Sequence, residues 1–159
     1  MSDLTHVDAA GAARMVDVSG KAVTDRVAVA TGVVHTTAEV VSLLRSNGLK
    51  KGDALAVARV AGIMGAKRTP DLVPLCHPLP ITGVTVDFAL AEDSVAITAT
   101  VRTSGQTGVE MEALTAVTVA GLTVHDMIKA VDPAAVLSEV RLERKEGGKT
   151  GVWTRPEGR

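Results

Sequence analysis

One stretch constrains this chain more than any other. Residues 113–124 carry no charge, while Glu110 and Glu112 stand just before them and His125, Asp126 and Lys129 just after. Read as one helix over 109–131, its middle is apolar or small around the whole circumference. A helix on the outside of a monomer keeps a polar stripe. The pattern therefore predicts cover on more than one side, by the chain's own sheet and by a second subunit. The charged ends would then lie at the edges of a shared contact, a setting in which buried titratable groups often do chemistry.

Composition narrows the class. With 159 residues, 46% of them apolar, the chain can bury one real core and is not disordered. Seventeen basic against eighteen acidic residues give a net charge of −1, so there is no general attraction to nucleic acid or anionic membranes. An anionic ligand must be met by a local cluster of Lys and Arg. Phe88 and Trp153 are the only aromatics, which excludes the stacking platforms of single-strand binders. A bound heterocycle would be held by hydrogen bonds and aliphatic walls. Cys76 is the single cysteine, so no intrachain disulfide forms, as suits a reducing compartment. The start, Met1-Ser2-Asp3-Leu4-Thr5-His6, has no basic-then-apolar leader. No uncharged run approaches the ~20 residues of a membrane span. A cytoplasmic protein is expected.

The elements follow from periodicity. Residues 1–25, rich in Gly, Ala and Asp, read as a loosely ordered arm. Val27, Val29, Thr31 and Val33 alternate in a strand over 26–35. Thr36-Thr37-Ala38-Glu39 reads as a capping box, Val40, Leu43 and Leu44 as one helix face, and Gly48 as the stop. Lys51-Gly52 leads to a second helix, capped by Asp53 and ending near Lys67-Arg68, whose many small residues permit close packing. The proline-punctuated segment 70–80 is expected to be irregular. Val84, Val86, Phe88 and Leu90, then Val95, Ile97, Ala99 and Val101, alternate about a Glu92-Asp93-Ser94 turn as a hairpin. After the long helix, 136–145 reads as a charged edge strand, and 146–159 as a flexible tail. Strand, helices, hairpin, helix, strand is the βαββαβ order of a ferredoxin-like α+β sandwich with one extra helix and an antiparallel sheet. One domain, 26–145, carries it.

Several residues can carry chemistry. Asp126 and Lys129 share a helix face at i, i+3. Glu112 points to nearly the same side as Asp126 but about 21 Å along the axis, so two antiparallel copies of the helix would bring Glu112 of one toward Asp126 of the other. Ordinary helix-end charge complementarity explains most of the same residues. It does not explain Asp126, an acid near a C-terminus. His77, in Leu75-Cys76-His77-Pro78, suits a general acid, a general base or a phosphate donor. Cys76 is a nucleophile or a packing residue, and with no second cysteine the pair makes a poor zinc motif. The cations Arg26, Lys51, Arg59, Lys67 and Arg68 flank element ends, where solvated surface positions are the plain alternative.

Taken together the segments resemble one family. They are Leu4-Thr5-His6-Val7-Asp8, Met15-Val16-Asp17-Val18-Ser19, Lys51-Gly52-Asp53, Ala66-Lys67-Arg68-Thr69 and Pro74-Leu75-Cys76-His77-Pro78-Leu79. Two more are Thr107-Gly108-Val109-Glu110-Met111-Glu112-Ala113-Leu114-Thr115 and Asp126-Met127-Ile128-Lys129-Ala130-Val131. The chain is thereby similar to the molybdenum cofactor biosynthesis protein C family, the cyclic pyranopterin monophosphate synthases. The resemblance implies a ferredoxin-like fold and a homohexamer, a trimer of dimers with active sites at a subunit interface. It implies conversion of a cyclised GTP precursor, supplied by a radical SAM enzyme, into cyclic pyranopterin monophosphate and diphosphate. It makes Asp126, Lys51 and Lys129 catalytic, and it assigns Leu75, Cys76, His77, Met111 and Glu112 to the substrate site. Lys67, Arg68, Arg26 and His77 would add counter-charge for the triphosphate. No redox cofactor or protein-bound metal is implied, with Mg²⁺ admitted only as a companion of the triphosphate. A non-catalytic oligomer that stores a pterin or nucleotide is the rival reading, and a purely structural hexamer is a third.

Overall fold

The computed structural model describes residues 6–159, so Leu4 and Thr5 of the first motif, and residues 1–5 of the expected arm, lie outside the described residues. In chain order the elements are β1 (Thr24–His35), α1 (Ala38–Ser46), α2 (Ala54–Lys67), α3 (Thr69–Leu72), β2 (Ile81–Leu90), β3 (Ser94–Gly105), α4 (Glu110–Ile128), β4 (Val136–Glu146) and β5 (Val152–Thr154). The sheet order is β2-β3-β1-β4-β5, and every pairing is antiparallel. The first four strands have the order and sense of a ferredoxin-like sandwich, and β5 extends it beyond β4. The alternation offers no signal for β5, a three-residue strand held by main-chain pairing of Val152, Trp153 and Thr154 with Glu146, Lys145 and Arg144.

The helix-facing side of the central strand is not the one with the larger residues. Ala28, Ala30, Gly32 and Val34 are buried beneath the helices, while Val27, Val29, Thr31 and Val33 are half-buried on the other face. Small side chains let α4 approach. A Cβ on Gly32 would lie 2.7 Å from Val117 Cγ1 and 3.3 Å from Val140 Cγ2. β3 presents Val95, Ile97, Ala99 and Val101 to the same core, all fully buried.

α2 lies antiparallel across α4. A Cβ on Gly62 would meet the Ala116 carbonyl at 3.0 Å and Ala120 Cβ at 3.2 Å, and one on Gly65 would meet Val119 at 2.9 Å. This contact supplies most of the second-side cover that the uncharged stretch predicts, and it comes from the same chain. Of the large apolar residues on α4, Met111 and Leu122 remain exposed, and α2 turns Val57, Val60 and Met64 outward. On the edge strand β2, Arg59 Nε donates to the Val86 carbonyl (2.9 Å) and Arg45 Nη2 to the Leu90 carbonyl (3.1 Å), which blunts that edge against pairing with another chain.

Three local expectations are corrected. Thr37, not Thr36, is the N-cap of α1 and accepts from the Val40 amide, while Thr36 Oγ1 donates to Asp132 Oδ2 at 2.7 Å. Asn47, at φ 53°, takes the left-handed position that ends α1, ahead of Gly48. The proline segment opens with one helical turn, α3, because Pro70 falls in its first turn, where a missing N–H costs nothing.

Replacing Gly32 by Val should lower stability by roughly 1–3 kcal/mol through overpacking beneath α4. A reduced urea midpoint with unchanged slope would be the expected result.

Candidate active site

Lys51 is aimed by the turn between two helices. Leu49 is buried, Gly52 adopts φ 94° and donates its amide to the Leu49 carbonyl (3.0 Å), and Asp53 caps α2 through the Ala56 amide (3.0 Å). A non-glycine residue would be strained at position 52. The turn carries Lys51 to the C-terminal end of α4. There Lys51 Nζ donates to the Asp126 main-chain carbonyl at 2.8 Å and to Asp126 Oδ2 at 3.1 Å, and Lys129 Nζ reaches Asp126 Oδ1 at 2.8 Å. One carboxylate thus holds two ammonium groups, one per oxygen. The hydrogen bonds from Lys129 and then Lys51 hold the Asp126 carboxyl below the usual carboxylate range. Asp126 is therefore held as an anion that bridges the two ammonium groups. The arrangement also accounts for an acid at a helix C-terminus, since Lys51 satisfies an orphan carbonyl and brings the favourable charge.

The other end of α4 opens on a cleft of about 240 Å³ lined by Leu75, Cys76, His77, Met111 and Glu112 together with Val16, Lys21 and Glu110. Prolines 74, 78 and 80 stiffen the loop that carries the first three. The buried Thr103 hydroxyl ties this loop to the sheet by donating to the Pro80 carbonyl (2.9 Å). Glu112 is 3% exposed and its side chain makes no hydrogen bond or ion pair with any other described residue. Burial pushes its carboxyl up to about 7, with a smaller push from Glu110, against a partial offset from its own amide. Burial, and then Glu112, raises the Cys76 thiol as well, so Cys76 is held as a thiol and is no ready nucleophile.

One chain gathers Leu75, Cys76, His77, Met111 and Glu112, and it separately gathers Lys51, Asp126 and Lys129. It does not bring the two sets together, because fourteen helical positions between Glu112 and Asp126 span about 21 Å. Lys67 and Arg68 end α2 with exposed side chains, toward the Glu112 end of the helix pair, and neither lines the cleft. Arg26 lines a neighbouring cleft of about 510 Å³ with Lys21, Lys145 and Lys149. It is engaged there by the carbonyls of Gly105 (3.1 Å) and Gln106 (3.3 Å). Sequence reasoning missed Lys21 and Lys145. Lys145 reads as a surface charge on an edge strand, yet it pairs with Glu110 at 3.3 Å beside the cleft.

The deciding observation is the extent of the family match. A family model described as MoaC family matches residues 15–148, covering the cleft loop, both ends of α4 and the Lys51 turn. The chain belongs to the MoaC family. Its MoaC relatives include a cyclic pyranopterin monophosphate synthase of Streptomyces coelicolor, 68% identical over 96% of this chain and 89% of that protein. Another, of Corynebacterium efficiens, is 63% identical over 97% and 99%. A protein of Mycobacterium tuberculosis named cyclic pyranopterin monophosphate synthase 2 is 61% identical over 96% and 92%. The ferredoxin-like sheet seen here is the fold expected of a MoaC protein. Among the described residues no helix is long and apolar enough to cross a membrane.

The buried Glu112 carboxyl predicts a pH-dependent stability. Below its ordinary value of 4.5 both folded and unfolded chains hold the proton, and above about 7 the folded chain must bury a charge. This group's contribution is thus full at low pH and is lost as pH rises from 4.5 through about 7. Glu112→Gln should abolish that slope, so the variant should gain up to ~3 kcal/mol on wild type between low and high pH. Urea midpoints measured at the acidic and alkaline ends of the window test this.

Proposed function

We infer that this chain is a cyclic pyranopterin monophosphate synthase, a lyase of molybdenum cofactor biosynthesis. Its substrate is (8S)-3′,8-cyclo-7,8-dihydroguanosine 5′-triphosphate, and its products are cyclic pyranopterin monophosphate and diphosphate. The observation that carries this reading is the Lys51–Asp126–Lys129 cluster in a MoaC chain. Two amines on one ionised carboxylate suit a reaction made of proton transfers, and mere anion binding would not favour the carboxylate.

Rebuilding a purine-derived tricycle moves protons without net oxidation. Lys51 and Lys129 give and take them, and Asp126 holds both amines in register. The loop of Leu75, Cys76 and His77, with Met111 and Glu112, holds the heterocycle through backbone groups and one buried carboxyl. Attack of a sugar hydroxyl on the α-phosphate expels diphosphate, and Lys51, Lys67, Arg68 and Arg26 supply its counter-charge. Mg²⁺ enters only with the triphosphate. A radical SAM enzyme supplies the precursor, and the cytoplasm is the setting.

The working unit in this proposal is a homohexamer, a trimer of dimers, with each site shared between two chains. Two observations support a shared site. The two halves lie at opposite ends of one helix, and the outward residues Val57, Val60 and Met64 of α2 and Leu122 of α4 are apolar. A store or carrier of the same ligand would need the cleft but not the lysine pair.

Incubation with the cyclised precursor should release diphosphate and an oxidisable pterin. Lys129→Ala should lose on the order of a hundredfold or more in kcat, and unchanged turnover would remove its proton-transfer role. Sedimentation should give about six times the 16.3 kDa of one chain. Mixing inactive Glu112→Gln and Lys129→Ala proteins and letting subunits exchange should restore activity, since some interfaces then join two intact halves. A monomer that turns over would end the shared-site proposal.

A further inference from the structure

His77 is met by a part of the chain that no catalytic role has absorbed. Its Nε2 lies 2.6 Å from the main-chain carbonyl of Val16, in the segment that precedes β1. A carbonyl oxygen only accepts, so Nε2 must carry the hydrogen. A neutral imidazole has one N–H, which leaves Nδ1 with the lone pair. Among the described residues Nδ1 has no hydrogen-bond partner.

The arm is fastened at further points besides this contact. Gln106 Nε2 donates to the carbonyls of Ser19 (3.3 Å) and Lys21 (3.2 Å), and Asp17 Oδ1 accepts the Ser19 amide (2.9 Å) in a local turn. Upstream, Val7 bridges Ala13 and the Arg14 amide donates to the His6 carbonyl (2.9 Å). Val16 is thus presented from a braced turn to a ring that prolines hold on the other side. His6, Val16, Val18 and Lys21 form one wall of the cleft whose other wall is Cys76, Met111 and Glu112.

We propose that this arm is a positioning element of the active site: the Val16 carbonyl locks His77 as the Nε2–H tautomer and so makes Nδ1 a proton acceptor. The inference rests on the synthase reading for its catalytic consequence. It chooses among the three roles that the sequence leaves open for His77. A neutral ring so held has no N–H to spare for a phosphate. It takes a proton from a substrate O–H, N–H or C–H onto Nδ1, leaving the electron pair of the broken bond on the substrate. The resulting imidazolium keeps its Nε2–H on Val16 and returns the Nδ1 proton at a later step. Asp17 offsets that charge. Its carboxyl is held below the usual range by the Ser19 amide and hydroxyl first and by the His77 ring after them.

The tautomer is readable without activity. Full-length protein labelled with ¹⁵N-histidine should be examined by long-range ¹H–¹⁵N correlation about two units above the ordinary imidazole value of ~6.5. His77, assigned by its loss in His77→Gln, should show a protonated Nε2 and an unprotonated Nδ1. An Nδ1–H or averaged ring would overturn the proposal. Removing residues 1–19, of which 6–19 lie outside the buried core, should average the two tautomers and lower kcat at least tenfold, with a smaller change in KM. An unchanged ring signal in a folded truncation would also overturn it. A second pair of variants avoids truncation. His77→Gln keeps an N–H able to reach Val16 and should leave tryptic cleavage after Arg14 slow, whereas His77→Ala should speed it about tenfold, and equal rates would count against the contact. A locked tautomer in a protein with no synthase activity would sink the synthase reading and leave the arm contact standing.

Discussion

The close approach of the sheet, α4 and α2 through small residues is the constraint on which the rest depends. Gly32 on the central strand, Gly62 and Gly65 on α2, and Ala116 and Ala120 on α4 stand where larger side chains would collide. Their packing fixes α2 antiparallel to α4. That in turn delivers the turn before α2 to the end of α4, where Lys51 finds both the carboxylate and the main-chain carbonyl of Asp126. A helix pair held further apart would leave Asp126 with Lys129 alone. The dispersion contacts of a core thus set the geometry of a charged cluster on the surface.

α4 also separates two electrostatic settings. At its C-terminal end the exposed Asp126, bonded by two ammonium groups, is held as an anion. At its N-terminal end Glu112 is buried, has no oppositely charged partner among the described residues, and is pushed toward the neutral acid. Two carboxyl groups on one helix are driven in opposite directions by hydrogen bonding and by desolvation. That divergence suits a reaction that needs a fixed anion in one place and a group able to hold or release a proton in another. The arm adds a third setting, since a single main-chain carbonyl selects which nitrogen of His77 stays free.

Much of this was legible in the residues themselves. The alternation of Val95, Ile97, Ala99 and Val101, the Asp53 cap and the prolines around Cys76-His77 are local signals, and each led to the right element. The motif match supplied the candidate site residues, because the strings that carry the resemblance contain them. What escaped was decided by partners distant in the chain. The valines of β1 advertise a strand but face away from the helices. The uncharged middle of α4 suggested a second subunit where α2 supplies most of the cover. β5 has too few residues to show a period, and Lys145 gains its meaning only from Glu110.

The chain's own order of residues determined the types of the longer elements, the two ends of α4 as charged edges and the family to which it belongs. These follow from periodicity, capping chemistry and contiguous motifs, all of which act over a few residues. Tertiary structure alone decided that Lys51 shares Asp126 with Lys129, that Glu112 is buried, and that Val16 meets His77. Hydrogen bonding and desolvation depend on distances between residues far apart in the chain, and only the packed chain sets those distances.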